Sequence, residues 1–169
     1  MTDAALYPIM NEIRNNMKKL GIECSDNITR IKFTGQRQSW GKCHKSKENK
    51  YWISISDQLG RTGVNKNALK SVIAHELLHT CPKCWCHDGE FARLSRILEM
   101  QYGYKINAHD RKEFGISDEV YYDEPYVIQC TECGQKYAYN KRRKWFKILD
   151  QCKCGTCKKQ TLKFIKGGV

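Results

Sequence analysis

The sequence predicts an α+β protein in two parts. Residues 1–125 read as helices packed on a small antiparallel sheet, and residues 126–169 as a β ribbon clamped by metal. Three observations lead there. Hydrophobic periodicity in the first part switches between helix-like steps of three and four and strand-like alternation. His75 and His79 stand four apart inside one helix-like segment. Two Cys-x-x-Cys pairs, Cys130/Cys133 and Cys154/Cys157, sit in a basic tail. With 169 residues, 40% of them hydrophobic, the chain can build one ordinary core plus an appendage, which excludes wholesale disorder.

In chain order, Leu6, Met10, Ile13, Met17 and Leu20 form the stripe of an amphipathic helix that stops at Gly21, with Pro8 in its first turns. Ile28 to Thr34 and Tyr51 to Ser56 alternate apolar and polar residues as strands do. Between them come Trp40-Gly-Lys-Cys43 and a polar loop, so residues 28–56 read as an antiparallel sheet. The strand at 51–56 is expected to pair with an extended substrate segment, since edge pairing reads backbone. Asn65 or Asn67 caps a second helix running to about Thr80, with Leu69, Val72, Ile73 and Leu77 inward and Pro82 beyond its end. A third helix is expected from about Asp88 to Gly103 on the stripe Phe91, Leu94, Leu98. Asp118, Glu119, Asp123, Glu124 and Pro125 read as an acidic linker, after which the composition turns to Cys, Lys, Arg and aromatics.

The second helix carries the most informative stretch, His75-Glu-Leu-Leu-His79. Residues four apart share a helix face, so both imidazoles can reach one zinc ion, and Glu76 stands beside it as the base for a water molecule. This is the pattern of a zincin-like catalytic domain. Such a site needs a third ligand and an open position. His87 is favoured, with Asp88 and Glu90 as rivals. Four readings of the cysteine loop stand open: Cys81 and Cys84 hold a further metal with Cys43 or Cys24, they form a redox-sensitive pair, one of Cys81, Cys84 and Cys86 ligates and silences the catalytic zinc, or the loop is reduced and without a role. His109 and Tyr104 are the candidates for stabilising an oxyanion.

The tail spacing matches two knuckles of a zinc ribbon, four thiolates completing a tetrahedral structural site, with Gly134 and Gly155 suited to the turns and Cys152 left over. So small a segment folds on its metal. Residues 130–169 hold 11 Lys/Arg against two acids, +9 of the chain's net +12. Between the knuckles, Lys141, Arg142, Arg143, Lys144 and Trp145 interleave cations with rings, as single-stranded nucleic acid binding asks. The alternatives are a solvated basic face and aromatics that merely cover a thin core.

The order of these parts resembles the SprT-like metalloprotease family. Trp40-Gly-Lys-Cys43 precedes a strand, His75-Glu-Leu-Leu-His79 follows, then His87-Asp-Gly-Glu-Phe91, and last a ribbon of two cysteine pairs with a basic insert. The family has His-Gly-x-Glu-aromatic at the third of these; here the glycine falls one position later, at Gly89, and the preceding loop is shorter and cysteine-rich. The resemblance implies zinc ligands at His75, His79 and His87, a catalytic Glu76, a protein substrate held on DNA, and two zinc ions, one catalytic and one structural. The contrasting expectation is a nucleic-acid-binding regulator whose zincin-like domain is inactive or structural. No run of 18 apolar residues occurs and residues 1–8 lack the basic start and apolar block of an export signal, so a cytoplasmic location is expected, compatible with association with the nucleoid.

Overall fold

The computed structural model of the chain describes every residue except 38, 62–63, 108–123 and 169. The chain divides into two units, Met1–Ser117 and Asp118–Val169, each with its own three-stranded sheet. His109 and most of the acidic stretch expected as a linker lie outside the described residues.

In the first unit, helix α1 (Leu6–Lys19) buries the expected stripe of Leu6, Met10, Ile13 and Met17, none more than 5% exposed. Pro8 lies in the first turn, where an N–H has no intrahelical partner. The helix ends where the Ile22 N–H returns to the Met17 carbonyl and the Gly21 N–H to Lys18, both at 3.0 Å. That closure satisfies two end carbonyls and turns Ile22 into the core.

Strands β1 (Ile28–Thr34), β2 (Gly41–Lys45) and β3 (Tyr51–Ser56) form a sheet in the order β1-β3-β2. The β2–β3 hairpin is antiparallel, but β1 runs parallel to β3, with Ile31 opposite Ile53 and Phe33 opposite Ile55. The sheet is therefore mixed where the sequence suggested antiparallel pairing throughout. Alternation reports that a segment is a strand, not which way its neighbour runs. Trp40-Gly-Lys-Cys43, expected only to precede a strand, enters β2 itself. β3 is consequently central, and five of its six residues are buried. Both its edges are taken, so it cannot add a substrate strand, contrary to the expectation for residues 51–56.

Helix α2 (Lys66–Leu78) starts where the Asn65 side chain accepts the Asn67 N–H at 2.8 Å. It packs against α1, α3 and β2 and buries residues around most of its circumference. Helix α3 (Gly89–Tyr102) buries the expected Phe91, Leu94 and Leu98 and stops at Gly103 in the left-handed region.

In the second unit, β4 (Tyr126–Cys130) lies between β5 (Lys136–Tyr139) and β6 (Leu162–Lys166), antiparallel to both. A 3₁₀ segment, Lys144–Gln151, lays Phe146 and Leu149 onto this sheet. Phe146 is the hub: its ring lies 4.8 Å from Trp145, 5.1 Å from Phe164, 5.3 Å from Tyr139 and 5.5 Å from Tyr126, in tilted or edge-on contacts. Among the described residues no helix is long and apolar enough to cross a membrane.

Truncating that hub leaves a cavity that so thin a core cannot close. Phe146→Ala should cost the ribbon about 3–5 kcal/mol. Amide exchange will then show β4, β5 and β6 losing protection while the β1–β3 pair keeps its own.

Candidate metal centres

Helix geometry accounts for two of the three imidazoles. His75 and His79, one turn apart on α2, bring their Nε2 atoms to 3.2 Å. His79 stands just past the last helical residue but keeps α-helical torsions (φ −62°, ψ −13°), so the face continues through it. The third imidazole arrives on the following loop. The Thr80 and Cys81 N–H groups extend the helical turn, and Cys84 N–H closes a tighter one onto the Cys81 carbonyl at 3.3 Å. Cys81 and Cys84 are buried and anchor this turn to the core. Gly89, with φ +47°, lets the chain reverse directly into α3, a conformation that a side chain would strain. His87 Nε2 thereby lands 3.0 Å from His75 Nε2 and 3.1 Å from His79 Nε2.

The tautomers follow from backbone acceptors. His75 Nδ1 lies 2.8 Å from the Ile106 carbonyl oxygen and His79 Nδ1 lies 2.9 Å from that of Cys84. A carbonyl oxygen only accepts, so both Nδ1 atoms carry the hydrogen and both neutral rings present an Nε2 lone pair inward. Burial also holds His79 below the ordinary imidazole range, which favours its neutral form. Two such inward lone pairs suit a cation held among the three rings. Four tetrahedral ligands about 2.0–2.1 Å from a zinc ion stand about 3.3 Å apart, close to the spacing here. The donor set fits a divalent cation that accepts nitrogen.

Two contacts hold the group from outside. All three imidazoles pack on the fully buried Phe91 ring, at centroid distances of 5.1, 4.9 and 4.9 Å for His75, His79 and His87. The Ile106 carbonyl is itself fixed by α2: Ser71 Oγ accepts the Lys105 N–H at 2.9 Å, and the Asn67 side chain donates to the Gly103 carbonyl at 3.0 Å. The sequence marks Phe91 as a core residue and as the aromatic of the His87–Phe91 motif, and gives no signal for the carbonyls.

Glu76, the chain neighbour of His75, is buried on the β2 side of α2. Burial pushes its carboxyl up to about 8, against the pull of the Cys43 backbone N–H that donates to it. Gly41 explains how strand and carboxylate come so close. A Cβ at that position would stand 2.5 Å from Glu76 Oε1 and 2.7 Å from Val72 Cγ1. Trp40 accepts from the Ser56 N–H, so the alternation of an antiparallel ladder turns the backbone groups of Gly41 and Cys43 away from β3. Among the described residues no strand pairs with that edge of β2, and it borders Glu76, which takes the Cys43 N–H.

The other expected residues fall elsewhere. Asp88 stands at the start of α3, and Glu90 pairs with Arg93 at 2.6 Å, so neither joins the imidazoles. Tyr104 is buried with its hydroxyl against Asn16 of α1 at 3.0 Å. Cys43 sits by Glu76 on β2, apart from the loop thiols; burial and then the Glu76 charge push it up to about 12, and burial pushes Cys81 up to about 12 as well. Among the described residues, the groups that could hold a metal ion are His75–His79–His87 and the four ribbon cysteines, and no loop cysteine belongs to either.

In the ribbon, Cys130, Cys133, Cys154 and Cys157 bring their sulfurs within 4.8 Å of one another, with Cys130–Cys157 at 3.5 Å and Cys133–Cys154 at 3.6 Å. Vertices of a tetrahedral zinc–thiolate site stand about 3.8 Å apart for Zn–S near 2.3 Å, so the four could hold one zinc ion. The two knuckles share one hydrogen-bond pattern. Cys130 N–H reaches the Gln135 carbonyl and Gly134 N–H returns to Cys130; Cys154 N–H reaches Lys159 and Lys158 N–H returns to Cys154, all at 2.8–2.9 Å. Gly134 (φ +73°) therefore matches Lys158 (φ +63°), and Gly155 does not occupy the position the sequence suggested for it. The Tyr137 hydroxyl, 3.2 Å from Cys154 Sγ, pulls that thiol down to about 6, and Thr161 lowers Cys130 in the same way. Cys152 contacts the Ile148 carbonyl and stays outside the cluster.

Comparison with protein-family models, with curated proteins and with solved structures finds no match to this chain.

Removing a supporting contact should weaken metal binding without removing a ligand. Ser71→Ala frees the segment that carries the Ile106 carbonyl, and zinc affinity at the imidazole group should fall about tenfold in a chelator competition. Cys133→Ser should cost one zinc ion per chain by elemental analysis, and the ribbon's exchange protection with it.

Proposed function

We propose that this chain is a zinc-dependent endopeptidase of the SprT-like type, with a zincin-like catalytic domain. Its substrates would be proteins associated with or crosslinked to DNA, and its basic ribbon would bind nucleic acid, single-stranded DNA above all. The observation that carries the reading is the convergence of three Nε2 atoms at 3.0–3.2 Å, with the buried Glu76 adjoining His75 in the chain. His75, His79 and His87 would hold the ion, which leaves one tetrahedral position open. A zinc ion there supplies Lewis-acid polarisation of a peptide carbonyl and of a water molecule.

The chain's own groups do the rest. Glu76 takes a proton from the attacking water and returns it to the leaving amine. Its burial raises its basicity, and the Cys43 N–H and the bare Gly41 fix where the carboxylate stands. The free β2 edge offers backbone partners to an extended peptide beside that carboxylate, and edge pairing is indifferent to sequence. A purely structural metal site needs no base in this place, which weighs against the regulator reading.

For the ribbon, support comes from exposed charge. Lys141, Arg142, Arg143 and Lys144 are all exposed, and Arg143 lies over the Tyr139 ring at 6.0 Å. Trp145 packs edge-on to Tyr139 and Phe146 yet keeps part of its surface open. It can serve the thin core and a stacked base together.

The test is proteolysis of a DNA-binding protein with and without single-stranded DNA. Wild type and Glu76→Gln are run together, with zinc counted in each. Glu76→Gln should keep both ions and lose about 10²-fold or more in rate. Gly41→Ala should keep both ions and also lose activity, because its methyl group displaces the carboxylate. Cleavage that survives Glu76→Gln, or none from wild type carrying both ions, would sink the proposal; tight DNA binding in the latter case would point to a regulator. Cleavage indifferent to DNA would reduce the ribbon to a stabilising clip.

A further inference from the structure

Trp85 stands apart from the other three tryptophans, being the one exposed: 53% of its surface is open to solvent. Its exposure leaves the indole face available to a partner, and what singles it out is its place beside the imidazoles. It lies on the loop that delivers His87, and its ring meets the His79 ring edge-on at 6.1 Å. The loop is not slack there. Cys84, its chain neighbour, is fully buried and its carbonyl engages His79 Nδ1 at 2.9 Å, while the Cys84 N–H closes the turn onto Cys81. An exposed indole is thus presented at the rim of the imidazole group by a backbone anchored at Cys84.

Resting on the peptidase reading above, we infer that Trp85 is a specificity-determining residue that receives a large apolar side chain of the protein substrate, next to the bond to be cut. The loop's charge favours that occupant over a nucleobase. Residues 81–91 carry Lys83 as their sole formal cation, against Asp88 and Glu90. A base-stacking platform works with cations to meet the phosphates, and these residues offer too few. An anchored aromatic surface contacts a side chain with little ordering cost, which is how such residues come to dominate recognition.

The experiment separates binding from cleavage. Zinc-loaded Glu76→Gln, as the full chain, is panned against a randomised peptide display library, beside the same chain carrying Trp85→Ala or Trp85→Phe, with zinc counted in all three. Peptides bearing Leu, Met, Phe or Tyr should be enriched, and Trp85→Ala should weaken the best of them about tenfold, while Trp85→Phe largely restores binding. No apolar enrichment, or enrichment unchanged by Trp85→Ala at equal zinc content, overturns the inference. So does a Trp85→Ala chain that loses single-stranded oligonucleotide binding and keeps its peptide profile. In the active chain, cleavage whose residue preference is untouched by Trp85→Ala overturns the inference and leaves the peptidase standing. Failure of the active chain to cut a peptide it binds through Trp85 overturns the peptidase and leaves the apolar contact.

Discussion

Three imidazole Nε2 atoms held within 3.2 Å of one another are a constrained arrangement, and much of the first unit serves to impose it. A helix supplies two of them at no extra cost. The third requires a chain that has just left the helix to come back on itself within eight residues. Buried thiols at 81 and 84, the reversal at Gly89 and the Phe91 ring beneath all three imidazoles enforce that return. The cysteines that look like metal ligands in the sequence act here as small apolar anchors, the commonest role of a buried free cysteine. Burial raises both thiols above the ordinary range, as expected of apolar anchors.

What the sequence made legible divides along physical lines. Local rules worked: the α1 stripe, the Asn65 cap, the Phe91–Leu94–Leu98 face and the knuckle spacing depend on neighbours a few residues away. His87, favoured over Asp88 and Glu90 and assigned by the resemblance, is the member the structure brings to His75 and His79. Non-local relations stayed hidden. The direction of β1, the central place of β3 and the carbonyls of Ile106 and Cys84 are set by packing between distant segments. Gly41 lies between these cases. The resemblance marked it, but only its approach to Glu76 gives the reason a side chain is excluded there.

The second unit gathers its candidate ligands in a different way. Its core is one phenylalanine hub, a few aliphatic residues and two of the four cysteines themselves. Two knuckles of matching hydrogen-bond pattern aim backbone and hydroxyl donors at the sulfurs, and the lowered thiols of Cys154 and Cys130 show those donors favouring the thiolate. In the first unit the fold assembles the ligands; in the second the ligands occupy the place of a core.

The parallel pairing of β1 with β3 also bears on the order in which the sheet assembles. β2 and β3 are joined by a short turn, with the Ser46 N–H on the Lys50 carbonyl at 2.9 Å, so their hairpin closes with little loop entropy. β1 must find the far edge of that hairpin across more than twenty residues of chain, with Ile31 against Ile53. Local closure therefore favours a route in which the strand bordering Glu76 is set by the hairpin and β1 is added last. On that route the edge that faces Glu76 acquires its geometry before the sheet is complete, and errors in docking β1 fall on the opposite side of the sheet from Glu76.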